Sequence, residues 1–442
     1  MDAREAALLA LNDCQRQGGW SDAILKKWLA SAGLDSRDGA LATQLCFGVL
    51  QNRILLDFYL SHFSNLPLKR MEGRVVEALR LGCYQMLFLD KIPHSAAVNA
   101  SVEMTRKHCK NPRAAGMVNG ILRNLERNID HLPTIPQNDP ASYLSILYSH
   151  PEWLVREFLT ALGSEETARL LAADNGRAPI AAMVNTTKVT AEELTASLEG
   201  EGVQVQPHPW MADCLILSKT GNLERLTAFQ KGLFYIQDPA SRLAVEALDP
   251  GPGMRVLDCC AAPGGKSFAC AIRMEGGGEV ISCDLHAHKK KLIQAGADRL
   301  GLRNIVPVTV DGKLFRHEWE NAFDRVLVDA PCSGLGVIRK KPDIRYKDPE
   351  PLADLPRVQR AILDNAARYV KPGGVLVYST CTLLRRENEE VALSVLERHP
   401  QFKAEEFRLP EHAGDTRTGM STLWPHRQET DGFFICKMRR KE

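Results

Sequence analysis

The chain has no apolar run approaching the roughly 18 residues that a membrane-spanning helix needs, and its opening Met1-Asp2-Ala3-Arg4-Glu5 lacks the basic start of a secretory leader. Both absences point to a cytoplasmic protein with no membrane partner. None of the 12 cysteines stands in a C-x-x-C pair, and a chain of 442 residues can build its cores without covalent staples, so reduced thiols are expected. A net charge of only +2 excludes a uniformly basic polyanion binder. That average hides a pattern. Residues 1–130 carry 17 Lys/Arg against 13 Asp/Glu, residues 131–230 carry 6 against 12, and residues 231–442 carry 33 against 29. Polyanion contacts are therefore expected from local patches on the two end segments.

With 44% hydrophobic and 25% charged residues the composition is globular, and the length suggests about three domains. Residues 1–132 carry helical spacing throughout. Examples are Ile24, Leu25, Trp28 and Leu29 after a cap at Ser21, and Met117, Ile121, Leu122 and Leu125 further on. An all-helical bundle is predicted. Pro133, Pro136, Pro140 and Pro151, with Asn138 and Asp139, mark a linker over 133–150. Residues 151–230 change pattern. Strands are predicted at 180–184, 203–205, 214–217 and 233–236, and Thr190 with Glu193 forms a capping box, which makes a small acidic α/β domain.

From residue 231 onward strand-like runs at 254–257, 279–283, 305–309, 325–328 and 375–378 alternate with helix-length segments. This rhythm predicts a mostly parallel sheet covered on both faces, with ligands beyond the carboxyl ends of its strands. After the first strand comes Asp258-Cys259-Cys260-Ala261-Ala262-Pro263-Gly264-Gly265-Lys266-Ser267, whose small residues let a ligand approach the backbone at a helix start. A phosphate loop would need glycine at position 260, which is Cys260, and the dinucleotide pattern G-x-G-x-x-G is absent. Asp284, Asp311 and Asp329 stand at the ends of the next three strands. Three acids beside a glycine loop suggest a nucleoside-bearing cofactor. Asp284-x-His286-x-His288 has no third and fourth ligand at sensible spacing, so no metal is expected.

Two cysteines also stand at adjacent strand ends, in Asp329-Ala330-Pro331-Cys332-Ser333-Gly334 and in Ser379-Thr380-Cys381. A lone cysteine in a core is usually inert, but two facing one crevice can share a reaction. Carbon 5 of a pyrimidine is a feeble nucleophile until a thiolate adds to carbon 6. After carbon 5 is methylated its proton must leave, which calls for a second basic group. One cysteine can start the reaction and the other end it, while Asp329 binds the pyrimidine edge.

The segments 258–266, 329–334 and 380–381 resemble the methyl-donor loop and the two cysteine motifs of S-adenosylmethionine-dependent RNA cytosine-5 methyltransferases, and 237–241, 341–345 with Gln359, and 431–434 fit the same pattern. Gly48 to Arg53, Ala96 to Asn99 and Val118 to Arg123 resemble a NusB-like RNA-binding domain. The order of the two is that of the bacterial RsmB/Sun/Fmu family, which modifies small-subunit (16S) ribosomal RNA. The resemblance implies an α/β protein with a NusB-like bundle over 1–132, a small RRM-like domain over 151–230 and a Rossmann-like methyltransferase domain over 231–442; a monomer is expected. It implies that Cys260, Ala261, Ala262, Pro263, Gly264, Gly265, Lys266, Asp284, Asp311 and Asp329 line the S-adenosylmethionine pocket. Cys381 would then be the nucleophile and Cys332 the base that releases product, with Asp329 and Lys266 beside them. DNA cytosine-5 enzymes use the cysteine of the Pro-Cys motif and do not pair it with Thr-Cys, so the presence of both favours RNA. Arg339, Lys340, Lys341, Arg345 and Lys347 are the candidate phosphate contacts, with Arg53 and Arg123 as further candidates. A base stacked in a helix hides carbon 6, so the target cytosine is expected to be unpaired or flipped. The alternatives are a transfer RNA cytosine-5 methyltransferase and a non-catalytic RNA-binding factor of the antitermination type.

Overall fold

The computed structural model describes residues 1–17, 21–410 and 416–442; the cap expected at Ser21 lies outside the described side chains. Residues cluster into two units, one made of Met1–Gly176 with Ile338–Lys347 and one made of Arg177–Val337 with Asp348–Glu442.

The first unit is helical. Helices span Ala3–Gln17, Ser21–Ala32, Ser36–Phe63, Gly73–Phe88, His94–His108 and Ala114–Arg127, and their apolar faces meet in one core that includes Leu45, Val49, Leu79, Val98, Val118 and Leu122. The stretch read as a linker holds a helix, Pro140–Tyr148, and two more follow at Glu152–Leu162 and Ser164–Asp174. The reason is local. Asp139 caps the first of these through its side chain with Pro140 in the first turn, so the residues taken as loop punctuation are a helix start.

The second unit holds two sheets. Strands β1 (Ile180–Val184), β2 (Gln204–His208), β3 (Met211–Ser218) and β4 (Phe234–Ile236) form an antiparallel sheet in the order β2-β3-β1-β4. The Thr190–Glu193 capping box is present at the start of helix Ala191–Gly200, which packs on β2 and β3. Met183 is buried in this unit's core.

The larger sheet comprises β5 (Arg255–Asp258), β6 (Glu279–Asp284), β7 (Ile305–Thr309), β8 (Phe323–Asp329), β9 (Val370–Thr380), β10 (Phe402–Ala404), β11 (Met420–Leu423) and β12 (Phe433–Arg440). Its order is β10-β12-β9-β8-β5-β6-β7, with β11 paired to β12. Strands β5 to β9 pair in parallel, and β12 returns antiparallel against β9. Side chains alternate along each strand. Val256, Leu327, Val375 and Val377 enter one core with helices Pro239–Leu248 and Gly265–Arg273, while Leu257, Val326, Val328, Leu376 and Tyr378 enter another with helix Leu355–Tyr369. A strand buried on both faces reads as a continuous apolar run, which is why these strands were legible. The chain leaves β5 toward β7 and returns to β8 on β5's other side, so the strand order reverses at the carboxyl ends of β5 and β8.

Candidate active site

The reversal point brings together the ends of β5, β8 and β9. Leaving β5, Asp258 is fully buried and accepts a hydrogen bond from Ser267 Oγ at 2.7 Å, and Ser267 is in turn linked to Ser282 at 2.7 Å. Burial pushes the Asp258 carboxyl up to about 7. Asp258 thus ties the loop's far end to the strand that starts it. Between them the loop turns on Gly264, whose φ of +114° suits glycine, and an added Cβ there would lie 2.4 Å from the Phe268 ring. A Cβ on Gly265 would lie 2.9 Å from Gln237 Nε2. Ala261 is buried with its N–H on the Cys283 carbonyl at 2.7 Å. Burial holds the half-buried Cys260 as a thiol, with the charges of Asp258, Asp329 and Asp284 acting the same way.

Asp284 closes β6, mostly buried, accepting the His286 N–H at 3.1 Å and standing 3.6 Å from Lys289 Nζ. Asp311 follows β7 and is engaged locally by Lys313, from its backbone N–H at 3.0 Å and its ammonium at 3.7 Å. Asp329 closes β8. It accepts from Lys266 Nζ at 2.8 Å and from Ser379 Oγ at 3.0 Å, and Lys266 also sits 5.0 Å over the Phe433 ring.

The two cysteines meet. Asp329 pairs with Ser379 in the β8–β9 register, so the segments leaving the two strands emerge side by side, and the sulfurs of Cys332 and Cys381 lie 3.3 Å apart. The Cys332 S–H donates to Cys381 and holds the Cys381 thiol below its usual range, against the effect of burial and of Asp329 and with help from Lys266. The same bond, then burial and the charges of Cys381, Glu387 and Asp329, push Cys332 well above the usual thiol range. Of the two thiols, Cys381 is therefore the more acidic.

Other residues fix this geometry, and of these Gly336, Thr382 and Asn388 lie outside the motifs the sequence singles out. Ser333 Oγ and Thr382 Oγ1 are 2.7 Å apart, and Gly336 donates its N–H to the Cys381 carbonyl at 2.9 Å. Gly432 packs so closely on Gly336 that a Cβ on the latter would fall 1.9 Å from the Gly432 carbonyl oxygen. Asn388 braces the second loop, accepting from Thr380 Oγ1 at 2.5 Å and donating to the Thr382 carbonyl at 3.0 Å.

One expected residue is elsewhere. Arg345, taken as a phosphate contact, is fully buried inside the helical unit. Its guanidinium donates to Asn175 Oδ1 at 2.8 Å and to the Ser149 and Gln51 carbonyls at 3.1 and 3.3 Å. A planar group with five donors satisfies several carbonyls at once, and that internal demand removes it from any RNA surface. Arg339 and Lys340 are half-buried and Lys341 is exposed.

A sheet that reverses at a glycine loop, with acids at successive strand ends, defines a Rossmann-like methyltransferase, and comparison with known proteins agrees. The family described as 16S rRNA methyltransferase RsmB/F matches residues 245–439, the NusB family matches 1–127, and the ferredoxin-like domain of RsmF/B-like methyltransferases matches 150–224. The probable ribosomal RNA small subunit methyltransferase B of Bacillus subtilis is 42% identical over 99% of this chain and 98% of its own. The corresponding protein of Synechocystis is 32% identical over the whole of both chains. The crystal structure of PH0851 superposes with a TM-score of 0.83 at 26% identity, covering 99% of each chain. The chain belongs to the RsmB/F family of methyltransferases, whose methyl donor is S-adenosylmethionine. The residues present fit that donor. A loop that admits no Cβ at Gly264 or Gly265 and a carboxylate at the end of β6 suit a nucleoside bearing a cationic sulfur.

Proposed function

We propose that the protein methylates carbon 5 of a cytosine in small-subunit ribosomal RNA through a transient bond between Cys381 and carbon 6. The observation that carries this reading is the 3.3 Å contact of two thiols beside the Lys266–Asp329 pair. The names of the relatives support the substrate class. Loop 260–266 would hold the donor, with Asp284 and Asp311 toward its nucleoside. When bound, S-adenosylmethionine supplies the methyl group as an electrophile.

Cys381, the more acidic thiol, attacks carbon 6 and makes carbon 5 nucleophilic. Asp329 accepts from the base edge, and Lys266 balances its charge. Once Cys381 is bonded to carbon, it no longer carries the charge that kept Cys332 protonated, so Cys332 can give up its proton to solvent. Cys332 then removes the proton from carbon 5, and the electron pair left behind expels the Cys381 thiolate. Arg339, Lys340 and Lys341 are the proposed phosphate contacts.

Full-length variants incubated with small-subunit RNA and donor test the roles on a denaturing gel. Cys332→Ala is expected to accumulate a covalent protein–RNA adduct and Cys381→Ala to form none. The reverse pattern reassigns the nucleophile. Bisulfite sequencing of RNA from cells with and without the protein locates the cytosine, and a change confined to transfer RNA would overturn the ribosomal assignment.

A further inference from the structure

Two side chains outside the reacting cluster bracket Cys332. Gln359 Nε2 donates to the Pro331 carbonyl at 3.0 Å and to Glu387 Oε2 at 2.8 Å, and the same Glu387 oxygen accepts the Ser333 N–H at 2.9 Å. The residues before and after Cys332 are therefore held by one connected pair. Glu387 is itself fixed, fully buried, with the Tyr378 hydroxyl donating to its carbonyl at 2.6 Å. Among the described residues its other carboxyl oxygen, Oε1, has no hydrogen-bond partner. Burying such a group is unfavourable for stability alone, so its presence is better accounted for by what Oε2 holds.

We propose that Glu387, acting with Gln359, is a positioning residue that keeps the Cys332 sulfur against Cys381. Its consequence for turnover rests on the reading of Cys332 as the group that releases product; the sulfur geometry does not. Electrostatics works in the same direction, because the Glu387 charge is one of the effects that hold the Cys332 thiol protonated until Cys381 is consumed.

Two measurements on the full chain separate these points. Diamide removes two electrons and two protons from a thiol pair, forming one S–S bond and a hydrazine, and peptide mapping quantifies the Cys332–Cys381 linkage. Glu387→Ala is expected to slow that linkage about ten-fold, while Glu387→Gln, which keeps an acceptor for both donors, stays within about three-fold of the parent. An unchanged rate in Glu387→Ala overturns the proposal. In single-turnover methylation, the adduct in Glu387→Ala is expected to decay about ten-fold more slowly, with the KM for S-adenosylmethionine unchanged within about two-fold. Adduct decay at the parent rate, or an equal loss of donor affinity, overturns the role in turnover. If Cys332→Ala leaves no adduct, the assignment of Cys332 fails while the linkage measurement still decides the positioning role. Should Glu387→Ala not fold, Gln359→Leu removes the two amide bonds alone and carries the same expectations.

Discussion

The acidity of each of the two thiols depends on the other, because their sulfurs lie in hydrogen-bonding contact at 3.3 Å. Removing Cys332 takes away the donor that most lowers the Cys381 thiol, while burial and Asp329 continue to raise it. The thiolate fraction at neutral pH must then fall. In Cys332→Ala the pH profile for iodoacetamide alkylation of Cys381 is expected to move to higher pH, and the rate at pH 7 to drop roughly three- to ten-fold. A profile that stays in place would show that Lys266, rather than Cys332, sets the acidity. Both cysteines could be singled out from their motifs, and the resemblance assigned their roles, but the physical cause of their unequal acidity could not be read there. That depends first on the contact between the two sulfurs, with Lys266 adding a smaller effect. Glu387 was hidden for a different reason: in the run Arg385-Arg386-Glu387-Asn388-Glu389-Glu390 it reads as one more solvated charge. Only the turn Arg385–Glu387 rotates it inward, onto Ser333 and Gln359.

At the scale of the element, the loop between β5 and helix Gly265–Arg273 is shaped by what it excludes. Gly264→Ala places a methyl group 2.4 Å from the Phe268 ring at a φ of +114° that side-chain-bearing residues avoid. A loss of about 1–3 kcal/mol in stability is expected, read by urea denaturation. Donor affinity, read by calorimetry with S-adenosylmethionine, is expected to fall more than ten-fold on the order of a misplaced contact. Gly264→Ala with parent affinity would mean that the loop backbone does not approach the donor. The strands flanking this loop were legible because each is apolar and doubly covered. By contrast β12 escaped notice. Its sequence Phe433-Phe434-Ile435-Cys436-Lys437-Met438-Arg439-Arg440 ends in charges, and it is held by antiparallel pairing on β9, β10 and β11 rather than by a helix that follows it in the chain.

For the whole molecule, the informative segment is 338–347, which begins six residues after Cys332 and clusters with the helical unit. Arg345 anchors it there, together with Tyr346, whose hydroxyl donates to the Leu50 carbonyl at 2.7 Å. Arg345→Met removes a buried donor from Asn175 Oδ1 and from the Ser149 and Gln51 carbonyls. A destabilisation of about 3 kcal/mol or more is expected in chemical denaturation. The slope of RNA affinity against salt concentration should stay that of the parent, whereas charge reversal at Arg339, Lys340 and Lys341 should flatten it. A flattened slope in Arg345→Met would restore the phosphate-contact reading. A basic cluster next to a proline resembles a solvated loop, and nothing near Arg345 in the chain reveals the distant carbonyls that enclose it.

The division between what was readable and what was not follows the range of the interactions. Periodicity of 3.6 or 2, caps and strand-end residues involve neighbours within a few positions, so the amino-acid sequence by itself determined the helical first segment, the alternating last one, the glycine loop after β5 and the pair of cysteines. The adjacent strand ends were expected, but the tertiary structure alone decided the β8–β9 register that brings the two sulfurs to 3.3 Å. It also decided that a glutamate six residues beyond Cys381 reaches back to brace Cys332, and that one arginine of a basic cluster is spent inside the fold. Those outcomes depend on which distant segments pack together, and side-chain order along a single stretch of chain carries no record of that choice.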